Sequence, residues 1–356
     1  MEALKKIKIE GFKSIAEATL ELGSLNVVIG ANGSGKSNLI GVFRLLERVL
    51  THNLQLYVAS EPDRLLFHGR KTTPALALDF SFKQNAYGFK LKAEQDTLIF
   101  EYENVEYSGK WQFRDTIARG HKESCLEEAS QSYHNKIPRY VFPRARNLVV
   151  YHFHDTSDTS PAKRTADVDD NRFFRPDAAN LPAYLYFLQE KHPLQFRHIE
   201  EHVQLVAPFF DCFALAPSRL NENKIKLEWR QKGSDAYFDA YSLSDGTLRF
   251  ICLATLLLQP NPPRLILLDE PELGLHPFAI RILAEMLEAA SKRVQVLLAT
   301  QSVTLLNHFA PQNVIVAEND GMRTSFTRLD EERLKGWLQD FSIGELWEKN
   351  VLGGRP

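Results

Sequence analysis

A glycine-rich run between an apolar stretch and an amphipathic stretch most constrains what this chain can fold into. Residues 30–37 read GANGSGKS and match the pattern GxxxxGK[ST]. The apolar residues 25–29 before the run predict a buried strand, and those after it recur at helical spacing from Leu39 to Leu50. In such a strand–loop–helix unit, backbone amides and the helix N-terminus surround a phosphate group. The sequence therefore predicts a phosphate-binding loop, in which Lys36 reaches the β- and γ-phosphates and Ser37 holds Mg²⁺.

An acidic pair at the end of a later strand predicts the second half of the same site. The strand at 264–268 runs directly into Asp269 and Glu270. We expect Asp269 to hold Mg²⁺ and Glu270 to orient or deprotonate the attacking water. Alone, an acidic pair at a strand end is often a helix cap. Together with the phosphate loop, it favours nucleotide hydrolysis.

The third element is the run LSDGT at 243–247, which opens a predicted helix. It has two interpretations. Ser244 and Gly246 at a helix N-terminus form a second anion-binding surface, which is useful if it completes the ATP site of another copy. Alternatively, Ser244 or Asp245 is an ordinary N-cap. The order of the three elements along the chain favours the first interpretation.

Length and composition indicate a folded protein of ordinary type. With 356 residues, the chain is long enough for about two lobes, and 44% hydrophobic and 25% charged residues are typical of globular domains. The longest mainly apolar run, 251–258, is far shorter than the roughly 20 residues of a membrane helix. The N-terminus does not resemble a signal peptide, so we expect a cytoplasmic protein with no membrane partner. The wide spacing of Cys125, Cys212 and Cys252 argues against disulfides and structural zinc.

The pattern of apolar residues predicts an α/β fold in two lobes. Residues 1–154 are expected to form an N-terminal lobe with the phosphate loop and an antiparallel sheet, because 76–113 alternate apolar and polar residues. A polar flexible loop is expected at 155–176. Residues 177–356 are expected to form a C-terminal lobe with a helical insert, the LSDGT run and the acidic strand. Strands and helices alternate after residue 246, which predicts a parallel sheet.

Charge gives no global case for nucleic-acid binding, because the formal net charge is −2. One local basic patch mixes cations with the rings of Tyr140 and Phe142, which is a combination that binds DNA. The favoured alternative is a solvated strand-and-loop face. The cations of this basic patch are Lys136, Arg139, Arg144 and Arg146.

Five motifs together resemble one family. GFKSI at 11–15 precedes the phosphate loop, and LSDGT, LILLDEPELGLHP at 265–277 and ATQS at 299–302 follow it in order. This set resembles the ABC-type ATPase head of the RecF and SMC group, in particular small bacterial RecF-like ATPases labelled as AAA family. The resemblance implies a P-loop NTPase head with mixed and parallel β-sheets flanked by helices, arranged in two lobes.

The resemblance also implies roles for individual residues. The head would dimerise around two ATP molecules, each lying between one subunit's phosphate loop and the other's signature residues Ser244, Asp245 and Gly246. Glu270 would be the catalytic carboxylate, and His276 would face the partner subunit. Contacts to ATP would come from Asn32, Gly33, Ser34, Gly35, Lys36, Ser37 and Asn38.

Three positions depart from the family pattern or stay open. Gln301 stands where many relatives carry a switch histidine, and because an amide cannot carry a proton, slow turnover is expected. His154 is the candidate for the nucleotide-sensing position and for a metal contact. Lys13 and Ser14 either approach the nucleotide or form a solvated turn. A different interpretation treats His154 as part of a nuclease metal site with His152, Asp155 and Asp158.

Two functional classes fit these features. In the first, an ATP hydrolase opens and closes as a dimer and drives a DNA-maintenance or phage-defence process. In the second, an ATP-gated scaffold regulates a separate protein effector such as a nuclease, and slow hydrolysis only resets the complex. The sequence contains neither an obvious nuclease cassette nor a long coiled-coil arm, which favours a separate effector.

Overall fold

The computed structural model describes residues 3–132 and 136–354. In the described part, the strands are β1 (Leu4–Phe12), β2 (Ile15–Glu21), β3 (Leu25–Ile29), β4 (Ala75–Phe82), β5 (Asn85–Glu94), β6 (Thr97–Ser108), β7 (Gln112–Ala118), β8 (Leu148–Tyr151), β9 (Ala166–Asp167), β10 (Phe210–Phe213), β11 (Lys224–Ile225), β12 (Glu228–Gln231), β13 (Tyr237–Asp239), β14 (Leu265–Asp269), β15 (Gln295–Ala299), β16 (Val314–Asn319) and β17 (Thr324–Arg328). The helices are α1 (Lys36–Leu50), α2 (Leu54–Val58), α3 (Leu126–Gln131), α4 (Lys136–Ala145), α5 (Leu181–Lys191), α6 (Pro193–Val206), α7 (Asp245–Leu258), α8 (Pro277–Ser291), α9 (Val303–Leu306), α10 (Glu331–Leu334) and α11 (Ile343–Glu348). No helix of the described chain has the length and apolar character needed to cross a bilayer.

The core of the head is a six-stranded sheet in the order β17-β16-β3-β15-β14-β8. Its strands pair in parallel, except for the edge strand β17, which runs antiparallel to β16. The strand before the phosphate loop is buried along its whole length, as is typical of a parallel sheet covered on both faces. This arrangement confirms the predicted parallel sheet.

A second six-stranded sheet, in the order β2-β1-β4-β5-β6-β7, is antiparallel throughout. Its strands β4–β7 correspond to the alternating stretch at 76–113. Mixed sheets flanked by helices are therefore present, as the fold prediction states.

The core sheet separates two hydrophobic cores. Along β14, Leu265 and Leu267 belong to the core that contains α1, whereas Ile266 and Leu268 belong to the core that contains α7 and α8. Successive side chains of a strand point to opposite faces. The phosphate-loop helix and the helix that follows LSDGT therefore pack on opposite faces of one sheet.

The core sheet combines strands from both predicted lobes. It takes β3 and β8 from residues 1–154 and β14–β17 from residues 177–356. The segment at 155–176 buries Ala162, Ala166 and Phe174 in the core that contains α7, and β9 pairs with β11. The proposed lobe boundaries stay a prediction, and the two chain segments share one sheet.

The basic patch lies on a helix, which corrects the strand-and-loop interpretation. In α4, Ile137, Val141 and Ala145 recur at a spacing of four residues and are buried. This spacing places them on one helical face, which is the physical reason for the helix. Pro143 lies inside α4 and obscures the helical signal in the sequence.

Candidate nucleotide site

The predicted site residues follow neighbouring parallel strands at one edge of the core sheet. The phosphate loop follows β3, Asp269 ends β14, Gln301 comes two residues after β15, and His154 lies three residues beyond β8. The order β3-β15-β14-β8 makes these strands adjacent. Because their carboxyl ends meet at one edge, this edge is where an open α/β sheet binds its ligands.

The phosphate loop holds its lysine inside the turn. Lys36 is 5% exposed, and its Nζ donates to the carbonyl oxygens of Gly30 at 2.6 Å and Ala31 at 2.9 Å. Burial lowers the pKa of Lys36, although the nearby carboxylates of Glu270 and Asp269 act in the opposite direction. A partly desolvated ammonium interacts strongly with a phosphate. Lys36 is thus held at the loop, and its contact with the phosphates stays a prediction.

A hydroxyl network supports the loop from the start of β17 and from the turn between β1 and β2. Gly35 adopts a left-handed φ of 102°, and a Cβ there would lie 2.3 Å from Thr324 Oγ1, so only glycine fits. Thr324 Oγ1 donates to the carbonyl oxygen of Ser34 at 3.0 Å and lies 2.7 Å from Ser14 Oγ. Asn38 Nδ2 donates to the same Ser14 hydroxyl at 2.7 Å. Ser14 is thus built into the loop's support, and Thr324 is a support that no sequence motif marks.

Lys13 lies next to Ser14 in the turn between β1 and β2. Its backbone has a left-handed φ of 49°, and its amide donates to the carbonyl oxygen of Leu65 at 3.0 Å. Burial lowers the pKa of Lys13, and the neighbouring positive charge of Arg44 acts in the same direction. Lys13 is therefore half-buried in this turn and senses the positive charge of Arg44, and its approach to the nucleotide stays a prediction.

Asp269 presents an oxygen suited to a metal ion. Its Oδ1 is buried and has no hydrogen-bond partner within the described residues, while Oδ2 lies 3.9 Å from Arg44 Nη2. Burial raises the pKa of Asp269, and Arg44 partly opposes this. Carboxylate and hydroxyl oxygens are the ligands that Mg²⁺ prefers. Asp269 and the exposed Ser37 at the start of α1 therefore fit Mg²⁺, and Arg44 is a neighbour that sequence spacing did not reveal.

Glu270 and Gln301 are in direct contact. The side-chain amide Nε2 of Gln301 donates to Glu270 Oε1, and the backbone amide of Glu270 donates to the carbonyl oxygen of Ala299 at 2.8 Å. Glu270 has a left-handed φ of 42°, which is uncommon for a residue with a side chain and often occurs at functional sites. The structure thus brings the two residues predicted for hydrolysis together.

The buried carboxyl group of Glu272 holds Thr300 and Gln301 in place. Glu272 Oε1 accepts hydrogen bonds from Thr300 Oγ1 and, at 3.4 Å, from the backbone amide of Gln301. Burial raises the pKa of Glu272. The sequence interpretation did not assign a role to Glu272, although it lies within the DEPELGLHP motif. Its position makes it a support for Gln301.

His154 lines a small recess together with Arg249, Asp269 and Glu270. Burial lowers the pKa of His154, and the positive charge of Arg249 acts in the same direction, so the imidazole is favoured in its neutral form. A neutral imidazole can accept a hydrogen bond or bind a metal. The structure therefore places His154 beside the predicted acidic pair.

The nuclease alternative gains no support from the arrangement of the described residues. Within them, the group of three potential metal ligands that lie close together is Glu103, His121 and Cys125, in and beside the antiparallel sheet. Glu103 already accepts hydrogen bonds from Tyr87, Ser124, His121 and the amide of Cys125. Asp155, from the proposed nuclease set, accepts from the amide and hydroxyl of Ser157.

The LSDGT run begins α7 and contacts the loop after the acidic strand. Ser244 Oγ accepts from the amide of Thr247 at 3.2 Å, so Ser244 is the N-cap. A Cβ at Gly246 would lie 2.6 Å from the carbonyl oxygen of Gly274. The side chains of Ser244 and Asp245 are exposed. Capping and contact with a second subunit are compatible, because the capping hydroxyl lies at an exposed helix start.

Arg249 fastens α7 to two other parts of the site. It is 6% exposed and donates to the carbonyl oxygens of Phe153 at 2.9 Å, His154 at 3.0 Å, and Leu273. The sequence shows a single arginine within an apolar helix, but residue spacing alone predicts no role for it.

His276 is exposed, and so is the basic patch except for Arg144, which is half-buried. His276 Nδ1 accepts from the amide of Phe278 at 3.3 Å and so begins α8. In the basic patch, the guanidinium of Arg144 lies 5.5 Å from the ring centroid of Tyr140, and that of Arg146 lies 5.8 Å from that of Phe142. These rings thus pack against the protein's own arginines.

Comparison with known families identifies the chain. A family model described as "AAA domain, putative AbiEii toxin, Type IV TA system" matches residues 25–307, which is well over half of the chain. The chain belongs to this family. The matched range contains the phosphate loop, the signature run, the acidic strand and Gln301. No curated protein matches the chain.

Solved structures show the same fold in SMC heads. An Smc head bound to the C-winged helix domain of ScpA matches with a TM-score of 0.57 and 16% identity, over 94% of this chain and 99% of the other. An Smc head with an extended coiled coil from Pyrococcus furiosus, bound to the C-terminal domain of ScpA, gives 0.56 and 15% identity over 96% and 99%. An Smc head with a coiled coil and joint from Pyrococcus yayanosii gives 0.53 and 13% identity over 96% and 99%. At these identities, the likeness concerns the fold.

The AbiEii-type AAA family and the SMC-head fold confirm the resemblance stated from the motifs. They also confirm the predicted fold class, a P-loop NTPase head of the ABC and SMC type. The chain is thus an ATP-binding AAA-type head.

Proposed function

We propose that this AAA-family head binds ATP with Mg²⁺ and hydrolyses it within a homodimer that closes around two ATP molecules. The observation that carries the proposal is the gathering of the phosphate loop, Asp269, Glu270 and Gln301 at the carboxyl edge of one parallel sheet. A phosphate cradle, a metal carboxylate and a carboxylate base are the parts that phosphoryl transfer to water requires.

Each residue has a stated task in this mechanism. Lys36 and the amides of the loop bind the β- and γ-phosphates, and Mg²⁺ bound by Ser37 and Asp269 would neutralise charge on their oxygens. Glu270 accepts the proton of the attacking water, a step worth roughly 10²- to 10⁴-fold in rate. Gln301 donates to Glu270 Oε1 and so orients the carboxylate. Because an amide does not ionise, Gln301 cannot take up and release a proton as a histidine does, and we expect slow turnover.

The position of LSDGT supports a dimer. The phosphate-loop helix α1 and the signature helix α7 lie in different cores on opposite faces of the sheet. Within the described residues, no hydrogen bond joins 244–246 to the phosphate loop. Ser244, Asp245 and His276 are exposed. In a dimer, the signature run of one copy would contact the ATP molecule that the phosphate loop of the other copy holds.

The process that the ATP cycle serves has two candidates. In the first, the dimer drives a DNA-maintenance or phage-defence process, with the basic patch as a possible DNA contact. In the second, ATP gates a scaffold that regulates a separate protein effector such as a nuclease. The family's description names a toxin system, and two similar Smc heads are bound to domains of another protein, ScpA. These facts favour a protein partner.

Light scattering with Mg-ATP tests the dimer. Glu270→Gln keeps the shape of the carboxylate but cannot accept a proton, so this variant should retain ATP and accumulate as a dimer. Lys36→Ala should lose ATP binding, so its oligomeric state with Mg-ATP should equal that of the protein without nucleotide. Ser244→Arg should bind ATP without forming the dimer. A monomer in Glu270→Gln, or a dimer that persists in Glu270→Gln combined with Ser244→Arg, would contradict the sandwich arrangement.

Affinity capture distinguishes the two processes. Glu270→Gln is purified from its native cells with Mg-ATP, with and without nuclease treatment. A stoichiometric protein that survives nuclease treatment would support an effector. DNA alone, lost on nuclease treatment, would support a clamp that acts on DNA directly.

A further inference from the structure

A second concave region lies at the opposite edge of the core sheet from the nucleotide site. It encloses about 550 Å³ and is lined by residues that directly precede β3, β8, β14 and β15, among them Ser24, Asn147 and Arg264. We refer to this region, at the amino ends of the four strands, as the amino-edge cleft. Strands of four or five residues at 3.3 Å per residue separate its floor from the nucleotide edge by roughly 16 Å.

The charges that line the amino-edge cleft have one sign. Lys5, Arg264, Lys292 and Arg293 contribute side chains, and no aspartate or glutamate lies among the lining residues of the described chain. Lys5, Arg264 and Lys292 form no salt bridge with any residue in 3–132 or 136–354. Like charges gathered in a concavity raise the local concentration of anions.

One of these cations has an unsatisfied buried donor. Arg264 Nη1 is buried and has no hydrogen-bond partner within the described part of the chain. An unpaired buried donor costs about 1–3 kcal/mol, so its retention calls for a partner. Arg293 differs, because its guanidinium donates to the carbonyl oxygens of Leu257 at 2.7 Å and Gln259 at 3.4 Å. Arg293 thus holds the end of α7 through these bonds, whereas the guanidinium of Arg264 keeps a donor unpaired.

We propose that the amino-edge cleft is a second anion site that binds a phosphate-bearing ligand, separate from the ATP that the phosphate loop binds. Arg264 pairs with phosphate oxygens through its planar guanidinium, and Lys5 and Lys292 close over the ligand from the exposed rim.

Two features favour a phosphate-bearing ligand. A guanidinium presents parallel donors that match phosphate oxygens, and several cations around one cleft suit a ligand with several negative charges. The volume lies within the range of about 300–1,000 Å³ that is typical of small-molecule sites. A free oligophosphate or nucleotide fits this description, and so does the terminal phosphate of a nucleic-acid strand. The shared chemistry is the phosphate group.

Calorimetric titration in a Lys36→Ala background tests the proposal independently of ATP hydrolysis. The probes are tripolyphosphate, a short single-stranded oligonucleotide with a 5′-phosphate, and an oligoglutamate peptide. The test variant is Arg264→Ala with Lys292→Ala. The matched control is Arg333→Ala with Lys335→Ala, which removes the same charge from exposed positions on and beside α10. A second test variant, Lys5→Ala with Lys292→Ala, changes only exposed side chains, so that a folding defect cannot explain the result.

We expect tripolyphosphate to bind the control and to bind both test variants at least about tenfold more weakly, since charge-assisted hydrogen bonds are lost. The same loss seen with the oligonucleotide alone supports the site and assigns its phosphate to a nucleic-acid end. Equal binding by control and test variants overturns the proposal, as does the absence of binding by every protein. Tighter binding of oligoglutamate than of either phosphate probe overturns the assignment of the ligand to phosphate.

Discussion

Replacing Arg249 by methionine should remove the hydrogen bonds that hold the signature helix α7 against the nucleotide site. Arg249 donates to the carbonyl oxygens of Phe153, His154 and Leu273. A buried carbonyl left without a donor costs about 1–3 kcal/mol. Leu273 is 51% exposed and His154 is also exposed, so water can replace the lost bonds at these two residues. The buried carbonyl of Phe153 remains to be counted, and it gives about 1–3 kcal/mol.

The expected net loss is smaller than the upper end of this range. Methionine has no charge to desolvate, and its apolar stem fills part of the space, which offsets some of the cost. We therefore expect Arg249→Met to lower the free energy of unfolding by about 2 kcal/mol. Urea titration followed by tryptophan fluorescence measures this change. The matched control is Arg281→Met, because Arg281 is an exposed helical arginine whose guanidinium lies over the ring of Phe278 and forms no side-chain hydrogen bond or salt bridge within the described residues. Its loss should cost less than about 1 kcal/mol.

A second measurement separates the positioning of α7 from general stability. ATP turnover is measured without urea, at a temperature at which both variants are folded. Because α7 carries Ser244 and Gly246, Arg249→Met should also lower turnover, whereas Arg281→Met should not. Unfolding free energies of wild type and Arg249→Met that agree within about 0.5 kcal/mol, with equal turnover, would refute the reasoning.

Two further predictions concern other parts of the molecule. Burial would raise the pKa of Glu103, but hydrogen bonds, chiefly from His121, outweigh it and hold this pKa below the usual 4.5. The carboxylate therefore stabilises the fold above that pH, and the stabilisation is lost as the pH falls through the lower folded pKa. In urea unfolding near neutral pH, Glu103→Gln should lower the free energy of unfolding by about 3 kcal/mol. This difference between wild type and variant should become smaller in acid, and a difference independent of pH would contradict the reasoning. Gly246→Ala, whose Cβ would lie 2.6 Å from the carbonyl oxygen of Gly274, should lower unfolding free energy by about 1–3 kcal/mol. Gly336→Ala meets nothing within 4 Å in a helical conformation and serves as its control, so equal losses in the two variants would argue against the close contact.

Features that depend on neighbours in the chain were predictable. The phosphate loop was recognised because Gly35, Lys36 and Ser37 act within one turn, so their spacing in sequence is their spacing in space. Strands β3, β14 and β15 and helices α1 and α8 followed from periodicity, since side chains face a core every second residue in strands and every three to four in helices. Helix α4 was not predicted because Pro143 interrupts the helical pattern in the sequence. Burial of one face of this helix compensates for the proline only in the packed structure.

Contacts between distant segments were decided by the tertiary structure. Thr324 supports the phosphate loop from 290 residues away, Arg249 reaches His154 across 95 residues, and the sequence contains no spacing that marks either pair. Gln301 meets Glu270 because β14 and β15 are adjacent in the sheet, and strand order is set by the packing of the whole core. Sequence thus determined the chemistry of the local phosphate site. Only folding decided which distant side chains orient that chemistry and which cations meet at the amino-edge cleft, because long-range contacts depend on how the chain's segments pack together.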